Sequence, residues 1–286
     1  MACLRMVAIS GTPIEPVFVP TSDCTNLHQH SRVNLGRSRF ECNPHKVDYT
    51  ICNKLNLVNL ENNPNWHLED SIWKANEIHK ILSENKVDPK KIVEIGCGAG
   101  GILDQLSKVY SEAHLVGFDT SPQAIQLSQG FSTDRIKFVM GDFLNSPNEN
   151  FDLAICADVF EHVDDYMGFL TKLSQRRTLT VFHIPLDFTL ISSVMPHLLI
   201  RTRQLVGHLH YFNKSTAEAT LTGCGFKIIE SRITAGCLKF PNPGILGKLF
   251  WLIRKSVFLF SPTLAAQLLG GFSLLVLASC DTDKQT

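Results

Sequence analysis

Residues 96 to 101 read Gly96, Cys97, Gly98, Ala99, Gly100 and Gly101, four glycines in six positions, directly behind the apolar run Ile92 to Ile95. Ile102, Leu103, Leu106 and Val109 follow at helical spacing, so the pattern is strand, turn, helix. Glycines let such a turn bend tightly and let its backbone approach a ligand. The helix that follows offers unpaired N–H groups and a partial positive charge. Gly96, Gly98 and Gly101 also satisfy G-x-G-x-x-G, and Asp119 lies 23 residues beyond Gly96, near the ~20 of a dinucleotide-binding fingerprint. Taken alone, the loop leaves a nicotinamide-dependent oxidoreductase open.

The same alternation continues along the chain. A helix beginning near Asp70 or Ser71 carries Ile72, Ala75, Ile78, Ile81 and Leu82 on one face. Further strands are expected at His114 to Phe118, Ile136 to Met140, Leu153 to Ala157 and Leu179 to Ile184. Ser121 and Pro122 mark a capped helix start ahead of Ala124, Ile125 and Leu127. Short apolar strands alternating with helices predict an α/β fold with a parallel sheet covered on both faces. Phe226 to Ile233 and Phe272 to Ala278 read as two more strands, separated by an apolar helical insertion over 236–271.

Residues 1–40 mix Pro, Thr, Ser, Asn and His with neither period and are expected to form a disordered or loosely attached arm. Residues 41–65 are expected to be a packing or lid element, and 66–286 the main domain. Lys plus Arg (27) equal Asp plus Glu (27), so no excess positive field favours nucleic acid. Nine scattered cysteines, none in a C-x-x-C pair, argue against structural zinc or a disulfide framework and for a reducing, cytoplasmic setting. The apolar stretch Leu249 to Phe260 is interrupted by Arg254 and Lys255 and is shorter than the ~20 residues of a membrane span. No transmembrane helix is expected.

Four motifs in order resemble the class I S-adenosylmethionine-dependent methyltransferases, over roughly Trp66 to Cys280. Glu94 and the loop Gly96, Cys97, Gly98, Ala99, Gly100 resemble that family's acidic residue and G-x-G-x-G. Asp119, followed by Thr120, matches the acid that holds the ribose hydroxyls; Asp142 and Phe143 match the adenine position, Asp142 accepting from the exocyclic amine and Phe143 packing on the ring. Phe151 to Val163, with Asp158, resembles the fourth-strand motif. The resemblance implies S-adenosyl-L-methionine as cofactor. It also implies a Rossmann-like doubly wound sheet of seven strands, mostly parallel with an inserted antiparallel last strand. The 236–271 insertion departs from the pattern; it is expected to pack on its own domain, with a substrate lid, dimerisation or weak membrane contact through 244–262 left open.

Bottom-up chemistry agrees on the acids: an ionised carboxylate accepts two hydroxyls well, and acids ending parallel strands stand where such sheets bind ligands. Methyl transfer is an in-line displacement that chiefly needs alignment, with a general base when the acceptor is a hydroxyl. His162, His183, His208 and His210 lie near the expected edge; His183 and His210 are the candidate bases. Asp158, Glu161 and His162 would share a face if the chain turns helical there, a spacing compatible with a hard cation, but a helix-start acid pair is the expectation, with no metal. The expected function is methyl transfer to a small-molecule acceptor, on oxygen. An NAD(P)-dependent oxidoreductase and a non-catalytic cofactor-binding module are the alternatives; no Tyr-x-x-x-Lys pair favours the first of these.

Overall fold

The computed structural model describes residues 68–281 apart from 148 and 240–243. Contacts divide the chain into 1–47 and 48–286; the expected arm at 1–40 and the lid element at 41–65 lie outside the described residues.

The described chain opens with helix α1 (Leu68–Glu84) and then alternates: β1 (Lys91–Ile95), α2 (Gly101–Val109), β2 (His114–Asp119), α3 (Pro122–Ser128), β3 (Ile136–Met140), β4 (Leu153–Ala157), α4 (Tyr166–Gln175) and β5 (Leu179–Pro185). After β5 come α5 (Leu190–Val194), α6 (His197–Val206) and α7 (Lys214–Gly223), then β6 (Phe226–Thr234). The 236–271 segment folds into α8 (Gly236–Lys239), α9 (Ile245–Phe260) and α10 (Pro262–Leu269), and β7 (Ser273–Cys280) closes the sheet.

The seven strands are ordered β3-β2-β1-β4-β5-β7-β6. β1 to β5 pair in parallel, and β7 runs antiparallel to both β5 and β6. This is the expected doubly wound sheet with an inserted antiparallel last strand. Successive strand residues point to opposite faces, and both faces are covered. Val93, Ile95, Cys156, Phe182 and Val276 pack with α4, α7 and α10 residues such as Leu173, Leu221 and Ala265. Ile92, Ile155, Val181 and Leu277 pack with Ala75, Ile78 and Leu82 of α1 and Leu103 and Leu106 of α2. Burial on both faces makes the strands read as continuous apolar runs.

Helix faces differ from expectation in detail. Ile72 is 57% exposed while Ser71 is buried. A Cβ on Gly101 would come within 2.4 Å of Ser71 Oγ, so the close crossing of α1 over the start of α2 wants a small residue there. Val109 and Leu127, expected on helix inner faces, are also exposed.

Candidate functional site

The sheet order reverses between β1 and β4, and an open sheet binds ligands outside the C-terminal strand ends at such a point. Gly96 has φ +70°, and a Cβ there would lie 2.6 Å from Val159 Cγ2. Gly100 has φ +81°, and its Cβ would lie 2.5 Å from Phe138 Cζ. The loop is therefore closed to larger side chains at both ends.

Asp119 ties this loop to the next. Its Oδ2 accepts from Gly98 N at 2.9 Å and its Oδ1 from Ser121 N at 2.8 Å. Each oxygen keeps a lone pair for a further donor. Burial pushes the Asp119 carboxyl above its ordinary range despite those backbone bonds. Thr120, beside it, is exposed. Cys97 is buried with its sulfur against Gly117.

Glu94, on β1, points to the face covered by α1 and α2. It is 1% exposed, and its Oε2 has no hydrogen-bond partner among the described residues. Burial, reinforced by Asp119 and opposed by Lys74, raises its pKa well above the usual range. A buried carboxylate oxygen left unbonded is costly, and a ligand ammonium would satisfy it.

Asp142 and Phe143 behave differently from each other. Asp142 caps a turn over Phe143–Asn145, accepting from Leu144 N at 2.9 Å and Asn145 Nδ2 at 2.9 Å. Phe143 turns inward, packs edgewise on Phe118 and Phe151 and lies under the Arg176 guanidinium. The expectation that its ring packs on a ligand is corrected: the ring is core.

After β4 the backbone takes φ +55° at Asp158, followed by one short turn over Phe160–His162. Asp158, Glu161 and His162 consequently do not share a helical face. Asp158 accepts from Lys74 Nζ at 2.7 Å and pairs with His183 Nδ1 at 2.8 Å. Burial works against its charge, but His183 and Lys74 hold it well below the usual carboxylate range. His183 Nε2 meets Thr234 Oγ1 at 3.2 Å, Trp73 packs edgewise on the ring, and the residue is 3% exposed. The expectation that His183 presents a free ring nitrogen to an acceptor is therefore corrected. Strand alternation aims it at the α1 face, where both nitrogens are engaged. His210 is engaged too, with Nε2 on the Val163 carbonyl at 3.0 Å and its ring 4.4 Å from that of Tyr166.

Three other side chains converge at this edge. Glu161, His162 and His208 each bring one donor atom within 4.8 Å of the others, so among the described residues the trio that could hold a metal has His208 in place of Asp158. Both Glu161 carboxylate oxygens are buried without a partner. His162 Nδ1 meets the Gly207 carbonyl at 3.2 Å, and burial, with His208 nearby, lowers its pKa to about 4. His208 Nδ1 meets Asp187 Oδ2 at 2.5 Å, just past the end of β5. An imidazole that donates Nδ1–H to a carboxylate presents the Nε2 lone pair outward. Lys74 and Asp187 belong to no motif. Their one sequence signal is Asp187's place two residues after Pro185 at a strand end.

A depression of 310 Å³ beside Lys91 and His114 lies where β1 and β2 begin and is lined by none of Glu94, Asp119, Asp158, Glu161 or the four histidines. The convergent chemistry is at the other edge.

Residues 70–231 match the model of a family described as a methyltransferase domain. Norajmaline N-methyltransferase of Rauvolfia serpentina is 32% identical over 100 residues, covering 32% of this chain and 34% of that protein. A probable chloroplastic tocopherol O-methyltransferase of Oryza sativa subsp. japonica is 34% identical over 95 residues, 30% of this chain and 26% of that one. The aligned stretch thus spans about a third or less of these relatives. The N-methyltransferase NodS from Bradyrhizobium japonicum WM9, solved with S-adenosylhomocysteine, superposes with a TM-score of 0.52 at 18% identity, over 81% of this chain and 98% of that one. That likeness is one of fold.

Proposed function

Because the chain belongs to the methyltransferase-domain family, we propose that it transfers the methyl group of S-adenosyl-L-methionine to a hydroxyl oxygen of a small-molecule acceptor. The observation that carries the cofactor reading is Glu94. Two carboxylates, the buried Glu94 and the half-buried Asp119, flank the glycine loop. A dinucleotide would set its pyrophosphate against these acids with no cation between them, whereas the ammonium of S-adenosylmethionine is the partner Glu94 Oε2 lacks, and the ribose hydroxyls can donate to the lone pairs Asp119 keeps. The nicotinamide alternative is disfavoured on that ground.

In this reading Glu94 takes the amino group, Asp119 the ribose, and the backbone of Gly96, Cys97, Gly98 and Gly100 lines the methionine. Thr120 stands beside the ribose, the Asp142 turn beside the adenine, and Asp158 near the reacting end. S-adenosylmethionine supplies a sulfonium methyl for in-line displacement. Lys74 and His183 keep Asp158 ionised and fixed, and His208, oriented by Asp187, takes the acceptor's proton at Nε2. The Asp–His pair supports an oxygen acceptor, since a hydroxyl needs its proton removed as it attacks. No metal enters this scheme, and a cytoplasmic setting goes with it.

The test is calorimetry with S-adenosylhomocysteine and NADH, followed by turnover on a hydroxyl-bearing metabolite panel, for the wild type, Asp119→Ala and His208→Asn. We expect S-adenosylhomocysteine alone to bind, Asp119→Ala to weaken it by about 1.5–3 kcal/mol, and His208→Asn to lower kcat at least a hundredfold with unchanged cofactor affinity. Binding of NADH instead would replace the cofactor reading. Full turnover by His208→Asn would remove the base.

A further inference from the structure

Helix α9 is apolar on both sides. Toward the domain, Phe258 stacks on Phe272 at 5.4 Å, Trp251 donates to the Leu238 carbonyl at 3.0 Å and Arg254 to the Leu269 carbonyl at 3.4 Å. Away from it stand Leu246, Leu249, Leu252, Ile253 and Leu259, with Ile245 and Phe260 at 87% and 84% exposure. The outward arc is completed by Lys248, Lys255 and Ser256. No residue of α9, or of α6, is buried. Helix α10 packs on both α9 and α5, and α5 and α6 add exposed Leu190, Val194 and Ile200 to the apolar surface.

A second observation says what covers it. The chain as a whole is balanced at 27 basic and 27 acidic residues, yet neither 190–206 nor 236–271 contains a single Asp or Glu. Those segments carry Arg201, Arg203, Lys239, Lys248, Arg254 and Lys255. Lysines flanking an exposed apolar arc, with aromatic side chains on the same helix, form the pattern of a helix lying in a bilayer interface. At 16 residues, α9 is short of the ~20 that cross a bilayer, and no described helix is long and apolar enough to do so. Pairing with a second copy would set this all-cationic surface against itself.

We propose that α9, with the α5–α6 surface beside it, docks the protein on anionic lipid bilayers, its leucines entering the acyl boundary and Lys248 and Lys255 meeting the headgroups. The proposal stands apart from the methyl-transfer reading, and cofactor binding serves as its control.

The full chain is floated with vesicles of phosphatidylcholine alone or of phosphatidylcholine with phosphatidylglycerol, at low and high salt. The expected result is flotation with the anionic vesicles, weaker flotation with neutral ones, and partial release by salt as screening shortens the reach of the lysines. Leu246→Glu/Leu252→Glu/Phe260→Glu should lower the bound fraction at least tenfold while the thermal shift by S-adenosylhomocysteine persists. Lys248→Glu/Lys255→Glu, which leaves the apolar side chains intact, should remove the preference for anionic lipid and so tests the proposal even where the triple variant fails to fold. Wild-type protein that stays unbound with both vesicle types overturns the proposal. A dimer in light scattering that the triple variant dissolves, without vesicle binding, assigns the surface to a second copy instead.

Discussion

Glu94 couples proton and ligand. Burial raises its carboxyl well above the reference value of 4.5, so the ligand-free protein holds a proton there that its unfolded chain would release. A group raised on folding contributes stability that is fully present below its unfolded pKa and is lost as pH rises toward the folded value. The melting temperature of the ligand-free protein should accordingly fall as pH rises above about 4.5 by more than that of Glu94→Gln. A ligand ammonium needs the carboxylate, so binding should expel a proton, and affinity for S-adenosylhomocysteine should rise over the same interval. Calorimetry in buffers of different ionisation enthalpy checks this; an enthalpy independent of buffer, or a Gln variant with the same pH slope, would assign the proton elsewhere. As candidates, Asp119 was legible from its spacing to the glycine loop and Glu94 from the resemblance of the strand and loop that carry it. The orientation of His183 was not. Its strand position tells which edge it occupies, but Trp73, which packs on its ring, and Lys74, which shares its partner Asp158, come from a helix more than 100 positions earlier. The Asp187–His208 pair is similarly invisible to spacing, since a loop and two short helices separate its members.

Helix α3 shows how far local chemistry fixes an element. Ser121 is its N-cap, with Oγ accepting from Ala124 N at 3.3 Å, and Pro122 fills the first turn. Ser121→Ala should cost about 1 kcal/mol and lower the melting temperature by roughly 2–4 °C, read by calorimetry; no change would mean that the tertiary packing of α3 holds it without the cap. Strands were the most legible elements. β3 and β4 fall where their apolar runs predict, β2, β5 and β6 extend the expected spans by one residue, and β7 begins one residue later and ends two later than expected, because burial on both faces leaves little ambiguity about where a strand lies. Helix faces were less so. Ile72 lies one position round from Ser71, and only the tight crossing with Gly101 decides which of them goes inward. For α9 the pattern is uninformative in principle, since a helix apolar all round does not say which side meets the domain.

At the scale of the whole molecule, contacts divide the chain after Val47, while every residue assigned to the site lies at or beyond Lys74. Deleting residues 1–47 should leave S-adenosylhomocysteine affinity and folding unchanged. A tenfold loss of affinity, ~1.4 kcal/mol, would place that segment within the domain. The doubly wound order was legible from the alternation of strands and helices, and the closing strands from the turn residues Gly223, Gly225, Gly270 and Gly271. β7 is the last described strand in chain order, yet it sits between β5 and β6 and pairs with both. As the chain leaves the ribosome, β5 therefore offers an open edge and β6 has no place to attach until Ser273–Cys280 has emerged. Through that interval the nascent protein presents the unpaired strands that chaperones shield and that otherwise aggregate. A chain cut short before Ser273 leaves a sheet that cannot be finished, and quality control would meet it as a misfolded product.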